Sequence, residues 1–425
     1  MNLKIAAVRV TPIAIKDPPL LNALGVHEPF GLRSIVEVEG SDGRVGLGET
    51  YGDAPVLGLL LATRESLLGL SPFNLNGIWA RVLAASGAAA PGTGDAEMEL
   101  APGSLAGNLV NSAFSAFEVA CLDLQARHLG VPLVELLGGA VRQAVPYSAY
   151  LFYKFAAEID PEYASDPWGE ALEPGQIVAQ ARRMINLYGF DSIKLKGGVR
   201  DPETEVASIK ALKSAFPGHF LRIDPNGNWS LPTSIRVAEA LQGDLQYYED
   251  PTPGLEGMAE LHRATGMPLA TNMVVTCWDE LRRSVALNSV QIVLSDHHYW
   301  GGLRNSQALA RACHTFGLGL SMHSNSHLGI SLMAMTHLAA SVQHLGYACD
   351  THYPWQEDEV LVGGKLPITQ GCVHLTDRPG LGVDLDQDRL AALHEAFLSC
   401  RIRSRNDVVQ MRRYRPEWTA VKPRF

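Results

Sequence analysis

Leu221-Arg222-Ile223-Asp224-Pro225-Asn226 is a short apolar alternation that stops on a carboxylate and is turned by a proline. Such a stretch reads as a buried strand whose last side chain faces whatever lies beyond the strand end. The same form recurs in Leu245-Gln246-Tyr247-Tyr248-Glu249, Pro268-Leu269-Ala270-Thr271-Asn272, Ile292-Val293-Leu294-Ser295-Asp296 and Gly319-Leu320-Ser321-Met322-His323. The gaps between Asp224, Glu249, Asn272, Asp296 and His323 are 25, 23, 24 and 27 residues. A closed ring of parallel strands needs that spacing to aim all five groups at one centre.

Outward from this run, apolar strands are expected at 145–151, 190–196, 220–224, 245–249, 268–272, 290–295, 318–323 and 347–351. Helices fall at 174–187, 202–214, 231–242, 256–265, 278–286, 304–316 and 328–342, with a last one after the 380s. This predicts an α/β chain with a (β/α)8 TIM-type barrel over 134–390. An open doubly wound sheet is disfavoured, because no GxGxxG follows the first strand. Residues 1–133 read as an N-terminal α+β capping domain. Its strands are at 4–13 and 34–39, a hairpin turn is at Ser41-Asp42-Gly43, and helices are at 60–68, 74–85 and 108–128. The Pro- and Gly-containing stretch 17–33 is expected to be a long functional loop. The segment 391–425 should pack back on the cap or the barrel mouth.

The chain has 425 residues and a formal charge of -10, which argues against nucleic acid as a partner. No apolar run reaches the roughly 18 residues of a membrane span, and no signal peptide is apparent. The six cysteines are scattered without a CxxC pair, so a cytoplasmic enzyme with reduced thiols is expected.

Asp224, Glu249 and Asn272 offer two carboxylates and an amide oxygen, a donor set suited to Mg²⁺. Zinc is disfavoured by the lack of Cys or His among them. Taken singly, each could be a helix cap; as a strand-end set they read as metal ligands. Lys194 and Lys196, in Ile193-Lys194-Leu195-Lys196-Gly197-Gly198, are two apart and therefore share the inward face of a strand. His323 and Asp296 end adjacent strands, so Asp296 can hold one imidazole nitrogen and fix which nitrogen faces a substrate. Ammonium groups on one side of a metal and an imidazole–carboxylate pair on the other suit removal of a proton beside a carboxylate.

These motifs, with Glu249-Asp250-Pro251, Ala270-Thr271-Asn272-Met273, His323-Ser324-Asn325 and Ala348-Cys349-Asp350-Thr351-His352, resemble the glucarate dehydratase family. That family lies in the mandelate-racemase-like branch of the enolase superfamily, and the likeness runs along essentially the whole chain. Asn272 in place of an acid is its most discriminating residue. The resemblance implies a modified, enolase-like barrel and Mg²⁺ on Asp224, Glu249 and Asn272, with Asn272 also touching substrate. It implies Lys196 as base on one face, His323–Asp296 on the other, and Lys194 as the group neutralising the enediolate. Asn325 joins that catalytic set.

By the same resemblance His27, Tyr150, Phe152, Asn226, Ser324, His352 and Arg405 contact a six-carbon diacid sugar. The reaction implied is dehydration of D-glucarate, and of L-idarate, to 5-dehydro-4-deoxy-D-glucarate by a homo-oligomer. Departures at Thr276-Cys277-Trp278 and Ser326-His327-Leu328 leave another acid sugar such as galactarate, or epimerisation alone, as alternatives. An inactive barrel partner of an active homologue is the non-enzyme alternative.

Overall fold

A computed structural model describes residues 3–87, 106–164 and 166–425; the parts of the expected cap at 1–2 and 88–105 lie outside them. Three antiparallel strands, β1 (Ile5–Lys16), β2 (Phe30–Gly40) and β3 (Val45–Tyr51), form the first sheet. Helix Ala106–Leu129 lies across β3. The approach is so close that a Cβ on Gly46 would meet the Ala120 carbonyl oxygen at 2.0 Å, and one on Gly48 would meet that of Ala116 at 2.1 Å. No larger residue fits either position.

Two expectations for this part need correction. The irregular loop ends at Pro29, because Phe30 to Arg33 pair with Lys16 to Ile13 and extend the hairpin. Backbone pairing across the long ladder outweighs the weak strand signal of Phe30-Gly31-Leu32. The first helix runs Ala54–Arg64, starting six residues earlier than expected, and closes in a 3₁₀ turn at Glu65–Leu67. Pro55 in its first turn supplies a helix-compatible φ there.

Eight parallel strands follow: β4 (Ala144–Phe152), β5 (Ser192–Lys196), β6 (Phe220–Asp224), β7 (Leu245–Glu249), β8 (Leu269–Thr271), β9 (Ile292–Ser295), β10 (Gly319–Met322) and β11 (Cys349–Asp350). Their order is β10-β9-β8-β7-β6-β5-β4-β11, with β12 (Cys372–His374) antiparallel on β4. Between β10 and β11 the ring is tied by Gly346 N–H donating to the Leu320 carbonyl at 3.2 Å and by Ser321 Oγ donating to that of Ala348 at 2.8 Å. The fold is a modified TIM barrel with an α+β cap: the spacing predicted the barrel, and the family resemblance its enolase-like form.

The helix expected to finish the barrel, Gln387–Ser399, sits instead on the cap sheet. Phe397 packs there with Ala14 and Leu32, and His394 Nδ1 is 2.7 Å from the Pro12 carbonyl. A turn at Tyr353–Trp355 follows β11 where a barrel helix would start. Helix Asp407–Tyr414 and residues 415–425 lie over the barrel mouth, touching Leu24 and Asn226.

Candidate active site

Strand register builds the centre of the site. Parallel pairing sets Phe152 beside Lys196 and Lys196 beside Asp224; one row below, Tyr150 is beside Lys194 and Lys194 beside Arg222. Residues two apart share a face, so the rows stack inside the barrel. Lys194 Nζ donates to Glu249 Oε1 at 2.6 Å and to Asp350 Oδ2 at 2.7 Å, and it lies 3.3 Å from Asp224 Oδ2. Lys196 Nζ donates to Asp224 Oδ2 at 2.7 Å and to Asn226 Oδ1 at 2.5 Å. The Tyr150 ring lies beneath Lys194 Nζ, its centroid 4.7 Å away.

Burial opposes charge on Lys194, but Asp350 and Glu249 outweigh it and hold the ammonium well above the ordinary lysine range. Burial likewise opposes charge on Asp224, where Lys196 and Lys194 overcome it and depress the pKa. At Glu249 burial is joined by repulsion from Asp224, and the carboxyl is pushed well above its usual range. Asp250 is raised to about 7 for the same two reasons. It accepts from Thr271 Oγ1 at 2.5 Å and from the Asn272 N–H at 3.0 Å, so it braces the turn after β8.

The oxygens here are unevenly satisfied. Glu249 Oε2 is buried without a hydrogen-bond partner. The Asn272 amide oxygen faces Glu249 Oε1 and Asp250 Oδ2, each 3.1 Å away. Turned over, the amide would donate to both carboxylates and accept from His323 Nε2 at 3.2 Å. Turned as it stands, its oxygen completes an oxygen-only set that a hard dication would satisfy. Two other acid–imidazole groups, Asp17/His27/His352 and Asp296/His297/His298, also bring ligand atoms within 4.8 Å of one another. Their imidazole nitrogens suit softer metals than Mg²⁺. The oxygen set fits Mg²⁺ better.

Across the centre, Asp296 Oδ2 is 3.0 Å from His323 Nδ1, as adjacent strand ends require. Its other oxygen takes the His298 N–H at 2.8 Å and lies 2.9 Å from His298 Nδ1. Burial opposes this carboxylate's charge, and His298 and His323 together hold its pKa far below the ordinary range. His298 is therefore the second anchor of the acid that orients His323.

The cap side closes the site. His27 is 4% exposed, not solvent-facing, and its Nδ1 lies 2.9 Å from Asp17 Oδ2. The loop folds inward because Leu20, Leu21 and Val26 are buried apolar anchors around it. Asp17 Oδ1 is 3.8 Å from His352 Nε2, and the two imidazoles stack at 5.8 Å. Burial opposes the Asp17 charge, but His27 and His352 depress its pKa. Arg405 pairs with Asp407 through Nε at 2.7 Å and Nη2 at 2.6 Å.

His27, Tyr150, Phe152, Lys196, Asn226, Ser324, Asn325, His352 and Arg405 all line one cavity. Asn325 Nδ2 donates to the Tyr51 and Tyr299 hydroxyls at 2.8 and 3.0 Å, so its amide is held by the cap and by the loop after β9. A roomier cleft of about 580 Å³, lined by Gly139, Arg311, His314 and His344 among others, has no carboxylate in its wall.

Four supporting groups escaped the sequence reading. Asp17 sits in the expected loop and Asp350 in a quoted motif, but neither was given a role, because both acquire their partners only in the fold. Glu205 binds the Gly198, Val199 and Arg200 N–H groups at 2.8 to 2.9 Å and so shapes the turn after Lys196. Its place in the first turn of helix Pro202–Ala215 was the available signal. Lys422 reaches the Asn226 carbonyl at 2.8 Å from nearly two hundred residues away.

Residues 7–138 match the mandelate racemase / muconate lactonizing enzyme N-terminal domain, and 176–389 match the enolase C-terminal domain-like family. A probable glucarate dehydratase of Streptomyces coelicolor is 51% identical over 431 aligned residues, covering 100% of this chain and 99% of the relative. The chain belongs to the glucarate dehydratase family of the enolase superfamily. An enolase from Pseudomonas fluorescens solved with magnesium, potassium and tartrate superposes with a TM-score of 0.96. It is 66% identical, and the match covers 100% of both chains. A Mycobacterium smegmatis enolase solved with tartrate gives 0.93 at 53% identity, covering 100% of this chain and 99% of that one.

Proposed function

We propose that this chain catalyses Mg²⁺-dependent dehydration of D-glucarate, and of L-idarate, to 5-dehydro-4-deoxy-D-glucarate. The observation that carries the reading is the placing of Lys196 and His323–Asp296 on separate strands either side of the Asp224–Glu249–Asn272 oxygens. The full-length glucarate dehydratase relative supports the substrate. The relatives solved with tartrate, a hydroxy diacid, support the substrate class.

Asp224, Glu249 and Asn272 would hold Mg²⁺, which when bound supplies Lewis-acid stabilisation to a substrate carboxylate. Lys194 adds a fixed ammonium beside the charge that gathers as the α-proton leaves. His323 takes that proton from D-glucarate through the ring nitrogen that Asp296 leaves free, and Lys196 takes it from L-idarate. With D-glucarate, His323 then returns that proton to the departing β-hydroxyl, which leaves as water; with L-idarate, His323 must start protonated and gives up its own proton; the enol tautomerises to the keto acid. No redox partner is consumed. His27, His352 and Arg405 bind the far end of the diacid, and Asn226, Ser324, Asn325, Tyr150 and Phe152 complete the pocket.

Purified protein with Mg²⁺, assayed against four- to six-carbon acid sugars for keto-acid formation, tests this reading. D-glucarate and L-idarate should be turned over and galactarate should not; a preference for galactarate would overturn the substrate assignment. The proposal extends to a cytoplasmic homo-oligomer. All six cysteines are free, which suits a reducing compartment. Sedimentation of the native protein measures its assembly.

His27 gives a second test. H27A should lower kcat/KM for D-glucarate by about 10- to 100-fold, one or two polar contacts at about 1.4 kcal/mol per tenfold. It should also lower Tm, because the buried Asp17 loses its 2.9 Å partner and its next imidazole, His352, is 3.8 Å away. H27Q restores a donor and should recover most of the Tm but little of the kcat/KM. Thermal melts and steady-state kinetics on both variants decide; equal recovery of both quantities would make His27 a structural residue only.

A further inference from the structure

Asn226 stands at a junction of three groups. Its N–H donates to Asp224 Oδ1 at 3.1 Å, its side-chain oxygen receives Lys196 Nζ at 2.5 Å, and its backbone oxygen receives Lys422 Nζ at 2.8 Å. Its φ of 54° is left-handed, a conformation Asn tolerates but that the surroundings must hold.

The segment carrying Lys422 is tied down on both sides of this turn. The Arg424 and Phe425 N–H groups donate to the Asn228 carbonyl at 2.9 and 3.2 Å, and the Arg424 N–H also reaches Asn228 Oδ1 at 3.1 Å. Asn228 Nδ2 in turn donates to the Gly198 carbonyl at 2.5 Å, which joins the turns after β5 and β6. Trp418 Nε1 donates to the Leu24 carbonyl at 2.6 Å in the cap loop, and the Arg424 guanidinium stacks 3.7 Å from the Trp418 ring centroid. Residues 418–425 thus form a strap from the cap loop to the turn that carries Asn226. A lysine here donates directly to a carbonyl one residue's width from the group that holds Lys196.

We propose that Lys422 is a positioning residue for the Lys196 face of the site: through the Asn226 carbonyl it fixes the 225–228 turn, so that the Asn226 amide keeps Lys196 aimed at substrate. The assignment of faces rests on the function proposed above; the strap itself does not. His323 is held by Asp296 on a different strand end, whereas the strap bonds the turn that carries Asn226, so the two faces should respond unequally.

The test uses full-length K422M and K422R with two readouts. In K422M, kcat with L-idarate should fall by about tenfold or more while kcat with D-glucarate falls by less than about threefold. Amide hydrogen exchange in the peptide spanning 225–230 should speed up by about tenfold, and K422R, which keeps an N–H donor, should restore most of both. Equal losses on the two epimers accompanied by a lower Tm would make Lys422 a general anchor and overturn the proposal, as would unchanged exchange at 225–230. If the unaltered protein turned over neither epimer, the reading of the activity would fail. The exchange experiment would then still decide whether Lys422 holds the turn.

Discussion

Exchanging Glu249 for Gln should lower Mg²⁺-supported turnover of D-glucarate by about three orders of magnitude. A Lewis acid at this point is worth several kcal/mol of transition-state stabilisation, and each 1.36 kcal/mol is about tenfold in rate. Glu249 supplies one of the two carboxylates of the proposed oxygen set and also pairs with Lys194 at 2.6 Å, so the change weakens the ion and frees the ammonium together. Asn272→Ala removes only a neutral donor and should cost well over tenfold, less than Glu249→Gln. Titration of turnover against Mg²⁺, with calorimetry of Mg²⁺ binding to each variant, checks both the sizes and their order. Near-normal turnover of either variant at limiting Mg²⁺ would sink the ligand assignment.

Replacing His323 with Asn should abolish D-glucarate dehydration to within about a thousandth of its starting rate, in the range that a positioned acid–base group contributes. Proton exchange from L-idarate in deuterium oxide should survive better, because Lys196 serves that face. Lys196→Ala should show the reverse order. Asp296→Asn should resemble His323→Asn in direction, since an amide cannot hold the imidazole tautomer as a carboxylate does. Isotope exchange by NMR for both epimers with all three variants decides the assignment. If Lys196→Ala stopped D-glucarate chemistry and spared L-idarate, the faces would be reversed.

Much of the centre was legible because it is local in the chain. Each of Asp224, Glu249, Asp296 and His323 ends or follows its own apolar strand, and parallel register carries those ends to one side of the barrel. Lys194 and Lys196 needed only the period of two. The turn after them needs glycine: a Cβ on Gly198 would meet the Pro225 carbonyl at 2.2 Å. The cap was harder. Phe30 to Arg33 carry a strand's hydrogen bonds without a strand's composition, and the Gln387–Ser399 helix has an apolar face that either the barrel or the cap sheet could have covered.

The sequence by itself pointed to the barrel and, through its motifs, to the family, and it put the proposed oxygen donors and proton carriers at strand ends, because repeated strand-end chemistry is written within single strand-helix units. The tertiary structure alone decided which charges meet. Asp17 is shared by His27 and His352, Asp296 by His323 and His298, and Lys194 lies among three carboxylates from β6, β7 and β11. It also brought Arg405 and Lys422 to the mouth from the far end of the chain. Periodicity says which face a side chain takes, but the partner of a buried charge is set by packing between distant segments, where desolvation makes each pairing or its absence cost several kcal/mol.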